Sequence, residues 1–147
     1  MSVFVKSVSV EAPPETVFGF HEREDALLLL SPSFPPVRVI SKIGGIETGS
    51  RVELKIGPFV WIAVHVAYQK NLFFVDDQIV GPFEKWTHRH EFETQDGGTR
   101  LTDRIEYRLR GGVGVNRLLG WVVNLGLHQV FAHRHKVTKR CCEKGSP

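Results

Sequence analysis

Apolar and polar positions change rhythm three times along this chain, and each change marks a different kind of element. Residues 2–10 alternate loosely, with Phe4, Lys6, Val8 and Val10 on one side, and predict a strand. Glu11-Ala12-Pro13-Pro14-Glu15 breaks the alternation. Pro14 suits the first turn of a helix whose apolar side carries Val17, Phe18, Phe20 and His21. A second short helix is predicted over about 23–30, before Ser31-Pro32-Ser33-Phe34-Pro35-Pro36 forbids its continuation.

From 37 to 109 the chain reads as antiparallel strands over 37–42, 51–56, 60–69, 72–80, 84–95 and 98–109, joined by short turns as in a meander. With the first strand this makes seven. Pairing 60–69 with 51–56 across Gly57-Pro58 puts Trp61, Ala63 and His65 on the face of Leu54 and Val52. Ile62, Val64, Val66 and Tyr68 then face outward, which means either a one-residue slip of the turn or an outer patch suited to self-association.

After Gly111-Gly112-Val113-Gly114 the strand rhythm stops. Asn116 reads as a helix N-cap, and 117–140 as one helix with Leu118, Trp121, Val122, Leu125, Gln129 and Val130 along one side. Such a helix is about 35 Å long at about 1.5 Å per residue, enough to cross a small sheet. The predicted class is therefore α+β, with a seven-stranded antiparallel sheet that needs one face covered and one long helix to cover it. A single helix is narrower than such a sheet. If the sheet curls around the helix, the gap between them becomes a cavity.

The Asp96-Gly97 hairpin fixes which side chains face that gap. With these two residues at the centre of a type I′ turn, Phe92 opposes Leu101, His90 opposes Asp103, His88 opposes Ile105, and Trp86 opposes Tyr107, all on one face. The other face carries Lys85, Thr87, Arg89, Glu91 and Glu93 against Thr102, Arg104, Glu106 and Arg108, a row suited to water. The inward face thus holds Trp86, His88, His90, Asp103 and Tyr107. Burying so many polar groups costs free energy unless they pair or meet a ligand, and His90 with Asp103 satisfies part of that need. The bland alternative is a structural His–Asp pair in an ordinary core.

Composition narrows the classes. With 147 residues, 41% hydrophobic and 24% charged, the chain has the make-up of one globular domain, expected over 1–140 with a polar tail over 141–147. No run is long enough for a membrane span, and the opening Met1-Ser2-Val3-Phe4-Val5-Lys6 has no secretory pattern, so a cytoplasmic location is expected. Cys141 and Cys142 read as incidental thiols of a reducing compartment. Net charge is +3, and much of the excess lies in His133-Arg-His-Lys-Val-Thr-Lys-Arg, read as a solvated helix end, not a nucleic-acid surface.

Most catalytic signatures are missing. There is no phosphate-binding glycine loop and no Gly-x-Ser-x-Gly elbow. His88-x-His90 could chelate a metal with Asp103 as third ligand, but two histidines so spaced are more often unmetallated, and no metal or other cofactor is assigned. Asp76 and Asp77 fall on opposite faces of a strand. His133 and His135, two apart on a helix, cannot converge on each other.

The run Phe74-Val-Asp-Asp-Gln-Ile-Val-Gly-Pro-Phe-Glu-Lys-Trp86-Thr-His-Arg-His-Glu-Phe92, followed by Gly98-Thr99 and Asp103-Arg-Ile-Glu-Tyr107, resembles the ligand-binding SRPBCC proteins. Ala12-Pro13-x-Glu15-x-Val17-Phe18 and Phe131-Ala-His-Arg-His135 extend the likeness over about residues 2–140. These proteins form the polyketide cyclase/dehydrase-like branch of the START and birch-pollen-allergen superfamily. The resemblance implies the helix-grip fold and an apolar cavity under the terminal helix for a lipid, polyketide or isoprenoid. It also implies kinship with a domain attached to bacterial nucleotide-sugar-epimerase-like proteins.

The expected function is binding of a small, largely apolar ligand with a polar head. Trp61, Trp86, Tyr107, Val122 and Leu125 are expected to supply apolar contact, with His65, Asp76, His88, His90 and Asp103 around the head. The first alternative is a cyclase, dehydratase or isomerase with His90 as base, Asp103 holding its tautomer and Tyr107 nearby. The second is an interaction module or homodimer using the outer face of 60–68.

Overall fold

The computed structural model describes residues 1–143, with β1 (Ser2–Val10), α1 (Pro14–His21), α2 (Ala26–Leu30), β2 (Val37–Ile43), β3 (Arg51–Ile56), β4 (Phe59–Gln69), β5 (Phe73–Val80), β6 (Phe83–Gln95), β7 (Gly98–Leu109) and α3 (Gly112–Glu143). The seven strands form one antiparallel sheet in the order β1-β7-β6-β5-β4-β3-β2. Every link from β2 to β7 joins neighbours. β1 alone pairs at long range, with β7, and this leaves β1 and β2 at opposite edges. The helix-grip arrangement follows: the sheet's inner face receives α1, α2 and α3.

The β6–β7 hairpin has the anticipated register, with His90 opposite Asp103 and Trp86 opposite Tyr107. Asp96 (φ 49°) and Gly97 (φ 81°) both take the left-handed conformation that a type I′ turn requires. β3 and β4 also pair as anticipated, Leu54 with Trp61 and Val52 with Ala63. Further along β4 the pattern departs from simple alternation. His65 pairs with Asp76 but Ala67 with Val75, so Val66 is an extra residue that bulges and reverses the faces. Tyr68, expected outside, therefore turns inward, meets Phe18 edge-on and donates its hydroxyl to Glu22 at 3.0 Å.

α3 is longer than expected at both ends. Asn116 lies inside it: its amide Nδ2 donates to the Leu109 and Gly112 carbonyls while its Oδ1 accepts from the Leu109 N–H. That side chain ties the end of β7 to the first helical turn, so the helix starts at Gly112. At the other end Cys141 to Glu143 remain helical. Cys142 is buried among Val10, Phe18 and Val137, and burial pushes its thiol up to about 11. Glu143 accepts from the Glu11 N–H and from Lys139 at 2.9 Å each. The expected tail thus loses its first three residues to the fold, and its remainder, 144–147, lies outside the described residues.

The apolar stripe expected on α3 is displaced except at Val130, which packs against the core. Leu118, Trp121, Val122 and Leu125 are 70%, 63%, 47% and 56% exposed. The buried line is instead Leu127, Phe131, His135, Thr138 and Cys142, spaced by fours and a three. The cause is what lies beneath. The first half of α3 lies by the start of β1 and the end of β7, where the Tyr107 hydroxyl donates to the Gly120 carbonyl at 3.2 Å, and it reaches the core cluster around Phe4 and Trp86 through Val123. The second half lies over the broad inner face and packs against α1 and α2 as well. No helix among the described residues is long and apolar enough to cross a membrane.

Candidate ligand-binding site

One side of the inner face is filled. Val17 and Phe18 of α1 pack with Val10, Phe92, Leu101 and Val137, each side chain gaining about 1.5–3 kcal/mol from burial. On the other side α2 has only five residues, too few to fill the space over β2, β3 and β4. A cavity of about 320 Å³ remains between α2, the second half of α3 and the sheet. This lies at the small end of the range for ligand pockets, about 300–1,000 Å³.

The cavity walls are apolar over most of their extent, with Leu27 and Leu30 from α2, Val52 and Leu54 from β3, and Leu127, Val130 and Phe131 from α3. Trp61 and Trp86, edge to face with centroids 5.0 Å apart, also line it. His21, His65, Asp76, His88, His90 and Arg134, with Arg23, Ser31 and Lys42, supply the polar part of the lining. The strand register collects several of these: His65, Asp76 and His88 follow one another across β4, β5 and β6 on the inner face.

Behind the lining, Asp103 is the hub. One oxygen accepts from His88 Nε2 at 2.8 Å and the other from His135 Nε2 at 2.6 Å. His90 donates instead to Asp76, Nε2 to Oδ2 at 3.1 Å, and its Nδ1 lies 3.1 Å from Asp103 without hydrogen-bond alignment. Burial acts to raise both carboxyls, and the surrounding imidazoles outweigh it. Asp76 comes down to about 2, and Asp103 sits well below the usual carboxylate range.

A carboxylate only accepts, so these contacts put a proton on Nε2 of His88, His90 and His135. Burial, then the charge of His90, push His88 down to about 4, and burial takes His21 down to about 3. His65 is likewise lowered by burial. For His90 the two adjacent carboxylates overcome burial and raise the pKa. A bare Nδ1 lone pair 3.1 Å from a carboxylate oxygen would be repelled, whereas an imidazolium is attracted by both acids. His90 is thus wedged between Asp76 and Asp103, whose charges favour its protonated form, with its ring stacked on Phe74 at 3.9 Å and on His88 at 3.6 Å.

This arrangement corrects several expectations. The anticipated His90–Asp103 dyad is a five-residue network in which Asp103 serves His88 and His135, while His90 donates to Asp76 and lies against Asp103. Asp103 does not line the cavity. Tyr107 is buried but its hydroxyl is spent on the Gly120 carbonyl, outside the cavity. Val122 and Leu125 point away from it, for the reason given for the first half of α3. Trp61, His65, Asp76, Trp86, His88 and His90 do line it. Three residues were missed: His21, His135 and Arg134. The last two lie within the basic run expected to be solvated, yet they follow Leu127 and Phe131 at helical spacing, which is the signal that places them inward.

Asp76, His88 and His90 also offer one ligand atom each within 4.8 Å of one another, with Asp76 in place of the anticipated Asp103. Their two imidazoles, however, are stacked only 28° from parallel, so the nitrogen lone pairs run side by side and not to one point. The geometry is that of a hydrogen-bonded wall.

Residues 10–134 match the family described as "Polyketide cyclase / dehydrase and lipid transport". No curated protein matches the chain. Among solved structures, a nucleoside-diphosphate sugar epimerase from Corynebacterium glutamicum superposes with a TM-score of 0.72 at 25% identity, over 93% of this chain but 28% of that one. The chain therefore spans under a third of that relative's length. A START superfamily protein from Mycobacterium smegmatis gives a TM-score of 0.71 at 18% identity over 98% of this chain and 99% of that chain. Ara h 8.0201 gives 0.64 at 14% identity over 93% and 97%. The last two likenesses concern the fold.

Proposed function

Because this chain belongs to the polyketide cyclase/dehydrase and lipid transport family, with a START-like helix-grip fold, we propose that it binds a small, largely apolar molecule in the cavity beneath the second half of α3. The observation that carries this reading is the cavity's two-part wall. Leucines, Trp61, Trp86 and Phe131 favour a hydrocarbon or ring body, while Asp76, His88 and His90 favour one polar group held in a fixed direction. In a purely structural core those polar side chains would be expected to close on one another with no space left between them and the apolar wall.

Binding, not turnover, is the reading favoured, because the imidazole best placed to act as base is held between two carboxylates, donating to Asp76 and lying 3.1 Å from Asp103. Native mass spectrometry of the protein as purified, with titration of an apolar probe followed by tryptophan fluorescence, tests it. A co-purifying small molecule, or saturable quenching of Trp61 and Trp86, is the expected result. Loss of that quenching in Leu54→Trp, which fills the cavity, should accompany it. A protein that carries nothing and gives no saturable change at millimolar probe overturns the proposal.

A further inference from the structure

We propose that Arg134 anchors an acidic head group, so that the ligand of the cavity is an amphiphile ending in a carboxylate; this deepens the binding proposal and rests on it. Arg134 lies one turn beyond Phe131 on α3 and lines the cavity, with its guanidinium over the Phe131 ring at 5.2 Å. The carboxylates at and behind the wall have partners. Asp103 accepts from two histidines with a third beside it, and Asp76 accepts from His90. Arg134 has no hydrogen bond or ion pair from its guanidinium among the described residues, whereas Arg23, Arg89, Arg104 and Arg108 each face a carboxylate on the open surface.

The contrast is unusual in direction. A surface arginine gains little from a partner, while one withdrawn from water needs one. Burial lowers the Arg134 pKa, and the pull of Asp103 and Asp76 only partly offsets that, yet a guanidinium stays charged across the physiological range. Asp76, the carboxylate of the wall, has its charge already met by His90. What Arg134 lacks is an acceptor arriving from within the cavity. Its planar fork suits the two oxygens of a carboxylate. The apolar wall from Leu27 to Trp61 then receives the rest of the molecule.

The test compares two probes of equal chain length, decanoate and decanol, on the folded full-length protein at neutral pH. The wild type is expected to bind decanoate at least about tenfold more tightly than decanol, and Arg134→Gln to bring decanoate down to decanol's affinity while leaving decanol's unchanged. Equal affinities in the wild type, or a preference for decanoate that survives Arg134→Gln, overturns the acidic-head assignment while leaving the binding proposal standing. A wild type that binds neither probe removes both. Should Arg134→Gln fail to fold, Arg134→Met keeps the stem's packing on Phe131 and decides by the same comparison.

Discussion

The half of α3 from Gly112 to about Gly126 and the half from Leu127 to Glu143 both mix apolar with basic side chains, yet the fully buried residues all lie in the second. In the first, Leu118, Trp121, Val122 and Leu125 face solvent. In the second, Leu127, Phe131, Val137 and Cys142 are buried, and Arg134 and His135, which a composition argument would put in water, turn inward. Apolar content does not separate the halves. The second lies over the broad inner face of the sheet and meets α1 and α2, and it is tied to β7 by the His135–Asp103 bond at 2.6 Å. The first lies by the ends of β1 and β7 and reaches the core through Val123.

The largest expected effect comes from cutting that tie. Asp103→Asn leaves three buried imidazoles around a neutral amide that can accept through one oxygen only. Urea unfolding at pH 7 should show a loss of about 3–5 kcal/mol, the usual cost of removing one partner from a buried charged cluster. A loss below about 1 kcal/mol would mean that the network does not hold the second half of α3 to the sheet. Asp76→Asn, by contrast, faces the cavity and should cost less stability.

Acid should separate the same regions, because the second half packs over the titrating groups and the first does not. Burial holds His88 down at about 4 and His21 at about 3, below the ordinary histidine value of 6.5. Between pH 6.5 and 4 the unfolded chain therefore binds more protons than the folded one, so stability falls as pH drops through that window. His90 works in the opposite sense: its raised pKa gives stability that is fully present below 6.5 and fades as pH rises through its folded value. Denaturation midpoints from pH 7 to 4.5 should decline, and His21→Phe should flatten the decline by up to about one proton. His21 is the cleaner probe because its Nδ1 donates to the Val17 carbonyl, apart from the Asp103 network. An unchanged slope in His21→Phe would remove that histidine from the account.

The same contrast explains which parts of the molecule were legible in the chain. The β6–β7 register could be read because Asp96-Gly97 dictates one turn type, and one turn type dictates every cross-strand pair. Tyr68 could not be placed, since a bulge at Val66 leaves no mark in a pattern of alternation. His88, His90 and Asp103 could be put on one face, but partners on that face are chosen by rotamer and by neighbouring elements. Hence Asp103 bonds His135 of α3, and His90 bonds Asp76 of β5. Val122 and Leu125 were assigned to the cavity from helical spacing alone. Spacing identifies a stripe, and only the position of the sheet decides whether anything covers it. The basic run from His133 misled for the reverse reason, because charge suggested water where the line through Leu127 and Phe131 pointed inward.

The smallest effect expected is in the first half of α3. Trp121→Ser removes a large ring, and in the second half such a change, Phe131→Ala for instance, should cost about 3–5 kcal/mol. Trp121 is 63% exposed, so its removal takes little apolar surface out of the folded core. The unfolding free energy should stay within about 0.5 kcal/mol of wild type, the ordinary range for surface substitutions. Measuring it at two protein concentrations a hundredfold apart sharpens the comparison. If the first half of α3 is held only by its own chain, both values agree and both sit near wild type. A loss above 1 kcal/mol that grows with concentration would show that a second copy covers this half, and the contrast between the halves would then describe only the isolated chain.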